Sequence, residues 1–325
     1  MSDNKWKIGV DVGGTFTDFT LLNQNTGALN FYKIPSTPED PSLAVEKGLL
    51  ELTELYDVDT SGIDYFGHGT TVALNMLLER RAPTIGLLTT KGFRDVIEIA
   101  RQTRPHLYDY SVKRPPPLSR RVDRKEITER IAADGSILTS INMEEVQLAV
   151  RQFKKRNIKA VAICFLHAYL RPDHEILASE VVRRLMPDAF LSLSSEVLPE
   201  FREYERASTT TVNAYVGPKM QEYLNRLEKR LIQNNVKTSP HIIHSNGGML
   251  TVKTAAKLPV RTCLSGPAAG VVGAASISSS AGYPNILAFD VGGTSTDVSL
   301  VLDGQPLFTS EPVSYTHLRA HETDS

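Results

Sequence analysis

Apolar residues in the first third of the chain fall into short runs broken by glycine. Trp6 to Val12 is one run, Gly13 and Gly14 interrupt it, Thr15 to Leu22 resumes it, and a second turn at Asn25 to Gly27 precedes a further apolar stretch. Runs of this length bounded by turn residues predict strand, tight turn, strand, turn, strand, an antiparallel opening. From Pro41 the period changes. Leu43, Val45, Leu49, Leu50 and Leu52 recur at helical spacing, and Pro41 suits a first helical turn. Strands are then predicted at Tyr65 to Gly67, Thr84 to Thr89, Ile158 to Leu166 and Phe190 to Leu193, with helices at Thr71 to Glu79, Met143 to Arg156 and His174 to Leu185. This alternation predicts an α/β fold, a sheet covered by helices on both faces.

The rhythm breaks between Arg101 and Arg124, where four prolines and seven arginines or lysines predict a long extended surface loop. A long amphipathic helix from about Tyr204 to Gln233 leads into a second unit. That unit continues with a strand near His241, a turn at Ser245 to Gly248, the small-residue segment Ser265 to Ser280, and a strand pair within Ile286 to Leu302.

The chain also repeats itself. Ile8 to Leu22 (IGVDVGGTFTDFTLL) and Leu287 to Val301 (LAFDVGGTSTDVSLV), offset by 279, share 8 of 15 positions. Two copies of one hairpin predict a duplicated fold with both turns facing one ligand. Gly13, Gly14, Gly292 and Gly293 lack a Cβ, so their N–H groups can approach phosphate oxygens and the backbone can take positive φ. Thr15, Thr17, Thr294 and Thr296 add hydroxyls. Asp11 and Asp290 end the first strand of each copy and can hold Mg²⁺ directly or through its waters, because Mg²⁺ takes one or two carboxylates plus phosphates. Asp18 and Asp297, on the returning strands, are candidates to position a water or a substrate group. A single copy would read first as a plain hairpin; the Asp and Thr shared by the two copies reverse this and favour phosphate binding. Neither Gly-Lys-Ser/Thr nor G-x-G-x-x-G is present, so the phosphate site is built from hairpins.

Composition narrows the ligand. The 325 residues carry 36 Lys or Arg and 37 Asp or Glu, a formal charge of −1, which speaks against nucleic acid or an anionic membrane as partner. With 41% hydrophobic and 22% charged residues the chain can build a core, and its length suggests about two domains. Two distant cysteines exclude a disulfide scaffold and fit a reducing cytoplasm. The N-terminus has no apolar signal core, and the longest apolar run, Ala160 to Leu166, is far short of a membrane span.

Seven motifs carry a family resemblance: DVGGTFTD at Asp11 to Asp18, HGTTVALNMLLERR at His68 to Arg81, TTKGFRDVIEI at Thr89 to Ile99, LSSEVLPEFREYERASTTTVNAYV at Leu193 to Val216, SNGG at Ser245 to Gly248, LSGPAAGVVGA at Leu264 to Ala274 and FDVGGTSTDVSL at Phe289 to Leu300. In this order they resemble the hydantoinase/oxoprolinase family. The resemblance implies the actin-like ATPase (ribonuclease H-like) fold, two βββαβα domains clamping ATP between phosphate hairpins, the second domain incomplete here. It implies domains at 1–195 and 196–313, with SYTHLRAHETDS at 314–325 read as a non-native tail on a truncated member. It also implies ATP-driven, Mg²⁺-dependent opening of a small cyclic amide, 5-oxoproline or a hydantoin, in places alongside a second hydantoinase-type subunit. Alternatives are the ATP-binding subunit of an acetone-type carboxylase and a non-catalytic ATP-gated module. Asp11, Asp18, Asp290 and Asp297 are the expected catalytic carboxylates.

Further candidates follow from position. His68, before Thr70 and Thr71 at a helix start, is a candidate substrate contact or proton shuttle, with a satisfied strand-end residue as the bland alternative. Asn75 lies one turn on. Arg101 and Arg104 are candidates to clamp a substrate carboxylate, though exposed arginines are usually solvated. Ser245, Asn246, Gly247 and Gly248 contact a ligand or simply turn the chain. Gly266, Pro267 and Gly270 read as close helix packing. His167 with His174, and His241 with His244, read as local hydrogen-bonding residues rather than metal pairs, and Cys164 as core.

Overall fold

The computed structural model describes residues 5–80, 82–102, 111, 115–291 and 296–307, with Thr296 and Asp297 described by backbone alone. The chain forms two compact units, one from residues 5–80 and 219–307 and one from residues 82–218.

The first unit opens with β1 (Trp6–Val12), β2 (Phe16–Asn23) and β3 (Leu29–Pro35), followed by α1 (Pro41–Leu55), β4 (Ile63–Thr70) and α2 (Val72–Glu79), the βββαβα order that the resemblance implies. β1 pairs antiparallel with β2 and parallel with β4, and β3 extends the antiparallel edge. Alternation along β1 sends Trp6, Ile8, Val10 and Val12 to one face, where they join Phe19, Leu21, Phe66 and the α1 residues Ala44, Val45, Leu49 and Leu52. α1 starts where Pro41 allows it, with the Asp40 side chain accepting from the Ser42 N–H as an N-cap.

The second unit contains β5 (Ile85–Thr90), α3 (Val96–Ile99), β6 (Arg124–Ile127), a two-stranded hairpin of β7 (Arg130–Ile131) and β8 (Ile137–Thr139), α4 (Met143–Lys155), β9 (Ala160–Cys164), α5 (Asp173–Leu185), β10 (Phe190–Leu193), α6 (Ser194–Val197) and the start of α7 (Glu203–Gln233). Its sheet is parallel, in the order β10-β9-β5-β6, as strands joined by helical crossovers require. Val146, Val150 and Phe153 of α4 and Ala178, Val181 and Val182 of α5 pack on it. α7 contains Pro218, and from residue 219 onward it belongs to the first unit.

Back in the first unit, Leu227 and Leu231 of α7 complete the core beside α1. The chain continues through β11 (His241–Ile243), β12 (Met249–Thr251), α8 (Val252–Lys257), α9 (Ser265–Ser280), β13 (Ile286–Val291), β14 (Thr296–Leu302) and β15 (Gln305–Pro306). β11 pairs parallel with β4, giving a six-stranded mixed sheet in the order β12-β11-β4-β1-β2-β3, while β13, β14 and β15 form a separate antiparallel sheet. No helix among the described residues is long and apolar enough to cross a membrane.

Candidate functional site

The turn between β1 and β2 is held from both sides. The Gly13 N–H donates to Phe16 O at 3.0 Å, the Ser36 hydroxyl donates to Gly13 O at 2.8 Å, and the Ser36 N–H donates to Thr15 O at 2.9 Å. Neither Gly13 nor Gly14 takes positive φ, contrary to the expected left-handed turn. Space favours glycine at position 13: a Cβ there would lie 3.0 Å from Phe16 O, a tight contact with backbone. Since Gly13 spends its own N–H inside the turn, the donors it leaves for an anion are those of Gly14 and Thr15, both exposed. Thr17 differs from the expectation of a ligand contact. Alternation turns it inward, it is fully buried, and its hydroxyl bonds Ser36 at 2.9 Å, so it braces the turn.

Strand parity decides what else belongs here. Register partners across β1 and β4 are Val10 with His68, Asp11 with Gly69, and Val12 with Thr70. Asp11 and Gly69 therefore share the face opposite the apolar core. A Cβ on Gly69 would come 2.8 Å from Asp11 Oδ1, and one on Gly266, at the start of α9, would lie 3.7 Å from the same oxygen and 3.8 Å from Thr71. Gly69 and Gly266 thus form a cradle for the Asp11 carboxylate, and sequence reasoning assigned Gly266 to packing only. Its signal was the matching absence of side chains on two elements that meet one charged group.

Asp11 is exposed, yet the neighbouring backbone strips part of its hydration. That desolvation raises its pKa above the usual carboxylate range, and the negative charges of Asp18 and Asp290 raise it further. Asp18 sits directly across the ladder from Asp11 and is paired with Lys33 at 3.0 Å. In the second hairpin Asp290 pairs with Asp297, and Val291 with Thr296, the same register as Asp11 with Asp18 and Val12 with Thr17. The repeat is therefore a repeat of geometry, and the first carboxylate of each copy acts on one electrostatic environment. Gly292, Gly293 and Thr294 lie outside the described residues, as do the side chains of Thr296 and Asp297.

α2 begins beside this turn. The Thr71 N–H and hydroxyl both donate to Val12 O, at 3.0 and 3.1 Å, and Asn75 Nδ2 donates to Thr71 Oγ1 at 3.3 Å. A Cβ on Gly14 would sit 3.5 Å from Asn75 Nδ2, so Asn75 lies at the turn. Thr70 is fully buried and its hydroxyl accepts from the Val72 N–H at 3.2 Å, so it braces the start of α2. Its backbone is clasped by Ser265, whose hydroxyl donates to Thr70 O at 2.8 Å and accepts from the Thr70 N–H at 3.2 Å. This clasp, absent from the sequence expectations, fixes the start of α9 against the end of β4.

His68 is corrected. Parity places it on the core face with Val10, it has no exposed surface, and Tyr223 Oη lies 2.6 Å from its Nε2. Burial lowers its pKa from 6.5 to about 4, so it is a neutral core residue. The SNGG segment is also a turn. Ser245 bonds Arg261 O through its N–H and hydroxyl, at 2.7 and 2.8 Å, and accepts from the Leu264 N–H. Asn246 Oδ1 accepts from the Gly248 N–H, and Gly247 takes φ +81°. Arg101 lies in the second unit, where its guanidinium bonds Glu205, and Arg104 lies outside the described residues. His167 and His174 bond Ile131 O and Glu129, and His244 accepts from the Asn246 N–H. Cys164 is buried, its thiol pushed up to about 11.

A family model for the hydantoinase/oxoprolinase N-terminal region matches residues 7–186, and a second for hydantoinase/oxoprolinase matches residues 206–324. The chain belongs to the hydantoinase/oxoprolinase family. It is 34% identical to the caprolactamase subunit alpha of Pseudomonas jessenii, over 96% of this chain and 45% of that protein. The crystal structure of the ATP-dependent caprolactamase from that organism superposes with a TM-score of 0.82 at 34% identity, covering 90% of this chain and 43% of that one. The nucleotide-free structure of an acetone carboxylase gives a TM-score of 0.85 at 25% identity, covering 93% and 44%. The 5-oxoprolinase of Saccharomyces cerevisiae is 32% identical over 94% of this chain and 26% of its own length. The fold is thus α/β, of the actin-like ATPase class, and this chain spans less than half of the relatives it matches.

Proposed function

We propose that this hydantoinase/oxoprolinase chain carries the nucleotide hairpins of an enzyme that uses ATP to open a small cyclic amide, 5-oxoproline, a hydantoin or a related lactam. The observation that carries the reading is Asp11: an acid near the end of one hairpin strand, flanked by Gly69 and Gly266, its pKa raised first by desolvation and then by the charges of Asp18 and Asp290. Clustered carboxylates of like sign disfavour one another, and such a cluster stays ionised at neutral pH most readily with a cation present. The donors are oxygens only, which fits Mg²⁺. Bound there, Mg²⁺ would neutralise charge on the phosphates.

An amide is a poor electrophile with a poor leaving group. Transfer of the γ-phosphoryl group forms an O–P bond to the amide oxygen and breaks the bond to ADP; water then adds to the activated carbon, C–N cleavage opens the ring with the proton going to the leaving amine and the phosphate left on the acyl group, and a second water hydrolyses that acyl phosphate to carboxylate and phosphate. In this scheme Asp11 and Asp290 hold the cation, the Gly14 and Thr15 N–H groups and the Thr15 hydroxyl receive phosphate oxygens, and Asn75 orients the turn. Asp18 and Asp297 position the attacking group. Most of the chain's contribution is placement and charge stabilisation. A second hydantoinase-type subunit is part of the proposal, since the caprolactamase relative is itself one subunit.

Full-length protein with its companion subunit, given ATP, Mg²⁺ and separately 5-oxoproline, a hydantoin or a lactam, is expected to release ADP and phosphate in a substrate-dependent manner. Turnover stimulated only by a ketone and bicarbonate would shift the reading to a carboxylase subunit, a class favoured by the acetone carboxylase superposition. Turnover indifferent to all of them would leave a nucleotide-gated module.

A further inference from the structure

Ser36, half-buried just past the end of β3, meets the turn between β1 and β2 at two carbonyls. Its N–H donates to Thr15 O at 2.9 Å and its hydroxyl donates to Gly13 O at 2.8 Å. A third bond joins the same hydroxyl to Thr17 Oγ1 at 2.9 Å. A serine hydroxyl carries one proton, and a carbonyl only accepts. The Ser36 proton is therefore committed to Gly13 O, and Thr17 donates its own proton to Ser36 Oγ. Thr17 is fully buried, so it holds the Ser36 hydroxyl from behind, in a chain that runs from Thr17 through Ser36 to Gly13.

This bond has a consequence one residue further on. A trans peptide is planar, with its C=O and N–H pointing to opposite sides, and the peptide between Gly13 and Gly14 is trans. Fixing Gly13 O on Ser36 therefore aims the Gly14 N–H away from Ser36. At most positions a Cβ resists reversal of the peptide plane. Between two glycines that resistance is missing, because Gly14 takes positive φ as readily as negative. The groups on either side are secured by other contacts: Val12 O accepts from Thr71, and the Gly13 N–H donates to Phe16 O. Among the described residues, it is the Ser36 hydroxyl that holds Gly13 O. Reversal would place that carbonyl, the negative end of the same dipole, where the Gly14 N–H now points. The turn thus has a form that attracts an anion and a form that repels one, and the Ser36 hydroxyl favours the first.

We propose that Ser36 is a positioning residue for the nucleotide phosphates: its hydroxyl, backed by Thr17, locks the Gly13–Gly14 peptide so that the Gly14 N–H faces the ligand. The inference rests on the nucleotide reading and deepens it by naming what aims one of its donors. A neighbouring side chain supplies the control. The Thr37 hydroxyl donates to Asp40 O at 2.6 Å and accepts from the Ala44 N–H at 3.1 Å, bonds that tie the start of α1 and leave the turn untouched.

Mg²⁺-ATP affinity is measured by titration calorimetry on full-length wild type, Ser36→Ala, Ser36→Thr and Thr37→Ala. Ser36→Ala keeps the backbone bond to Thr15 O and loses only the hydroxyl, and it is expected to bind about tenfold more weakly. Ser36→Thr, which restores a hydroxyl, is expected to stay within about threefold of wild type, as is Thr37→Ala despite its lost hydrogen bonds. A nucleotide-free readout accompanies the titrations: a crystal structure of Ser36→Ala is expected to show the Gly13–Gly14 peptide reversed or divided between both orientations. Should wild type fail to bind Mg²⁺-ATP, the nucleotide reading and this inference fall together. Undiminished affinity in Ser36→Ala, an equal loss in Thr37→Ala, no rescue by Ser36→Thr, or an unmoved peptide in the crystal would overturn this inference alone and leave the nucleotide reading standing.

Discussion

At the scale of single residues, strand parity decides which side chains reach the turn between β1 and β2. Neighbours along a strand face opposite sides. Asp11 and the glycines of the turn were legible because the repeat marks them twice. His68 was misplaced because it stands between Gly67 and Gly69 in a motif-rich stretch, and only the pairing of Val10 with His68 shows that it points into the core. The glycine beside it, Gly69, is the residue that faces Asp11. Gly69→Ala is expected to leave the melting temperature nearly unchanged, because the nearest atom is the mobile end of Asp11, while weakening Mg²⁺-nucleotide affinity by about tenfold or more as that carboxylate is pushed aside. Calorimetry beside a thermal melt checks both parts.

Two titrations belong to this scale. Asp11 has a raised pKa in the folded chain, so the folded state holds its proton more tightly than the unfolded one and the ionised carboxylate opposes folding at neutral pH. Asp11→Asn is expected to raise the melting temperature by about 1–3 °C, a small effect because solvent screens part of the charge, while abolishing turnover. His68 runs the other way. Its folded pKa of about 4 lies below the unfolded 6.5, so unfolding takes up a proton between those values. Stability is fully present above pH 6.5 and falls by about 3 kcal/mol as pH drops to 4. Denaturant melts across that window are expected to show the slope, and His68→Gln to remove most of it.

Among elements, those with long or well-punctuated patterns were legible. β1 and β10 occur at the expected residues, α2, α4, α5 and α7 within a residue of theirs, and α1 starts at Pro41 as expected. β7 and β8 escaped because strands of two and three residues give alternation too few positions, although Asp134–Gly135, with φ +82° at the glycine, carries the turn signal. α9 was legible as a small-residue helix built for close packing, and what it packs on shows in contacts: Ser265 ties its first turn to Thr70 of β4. Ser265→Ala leaves a buried N–H and C=O of Thr70 without that partner. It is expected to cost about 1–3 kcal/mol in denaturant melts and to weaken nucleotide affinity through Gly266, which stands beside Asp11. Full affinity in this variant would show that α9 contributes nothing to the cradle.

Over the whole molecule, the compact units do not follow chain order, because β11 returns to pair with β4 and draws residues after 218 back to the first unit. No periodicity in the sequence encodes that return, which rests on a parallel pairing between residues more than 170 positions apart. The two hairpins consequently belong to one unit. Their environments differ. Ile8, Val10 and Val12 are buried beneath α1 and α7, whereas the matching Leu287, Phe289 and Val291 are 60%, 65% and 74% exposed. Asp11 nonetheless feels Asp290, and the account holds that both serve one nucleotide.

A double-mutant cycle tests that claim most directly. Mg²⁺-ATP affinity is measured by calorimetry for full-length wild type, Asp11→Asn, Asp290→Asn and the double variant. If both carboxylates act on one bound nucleotide, the second substitution costs much less once the first is made, a coupling of about 1 kcal/mol or more. Strictly additive losses, or an Asp290→Asn chain that binds as wild type does, would contradict the account.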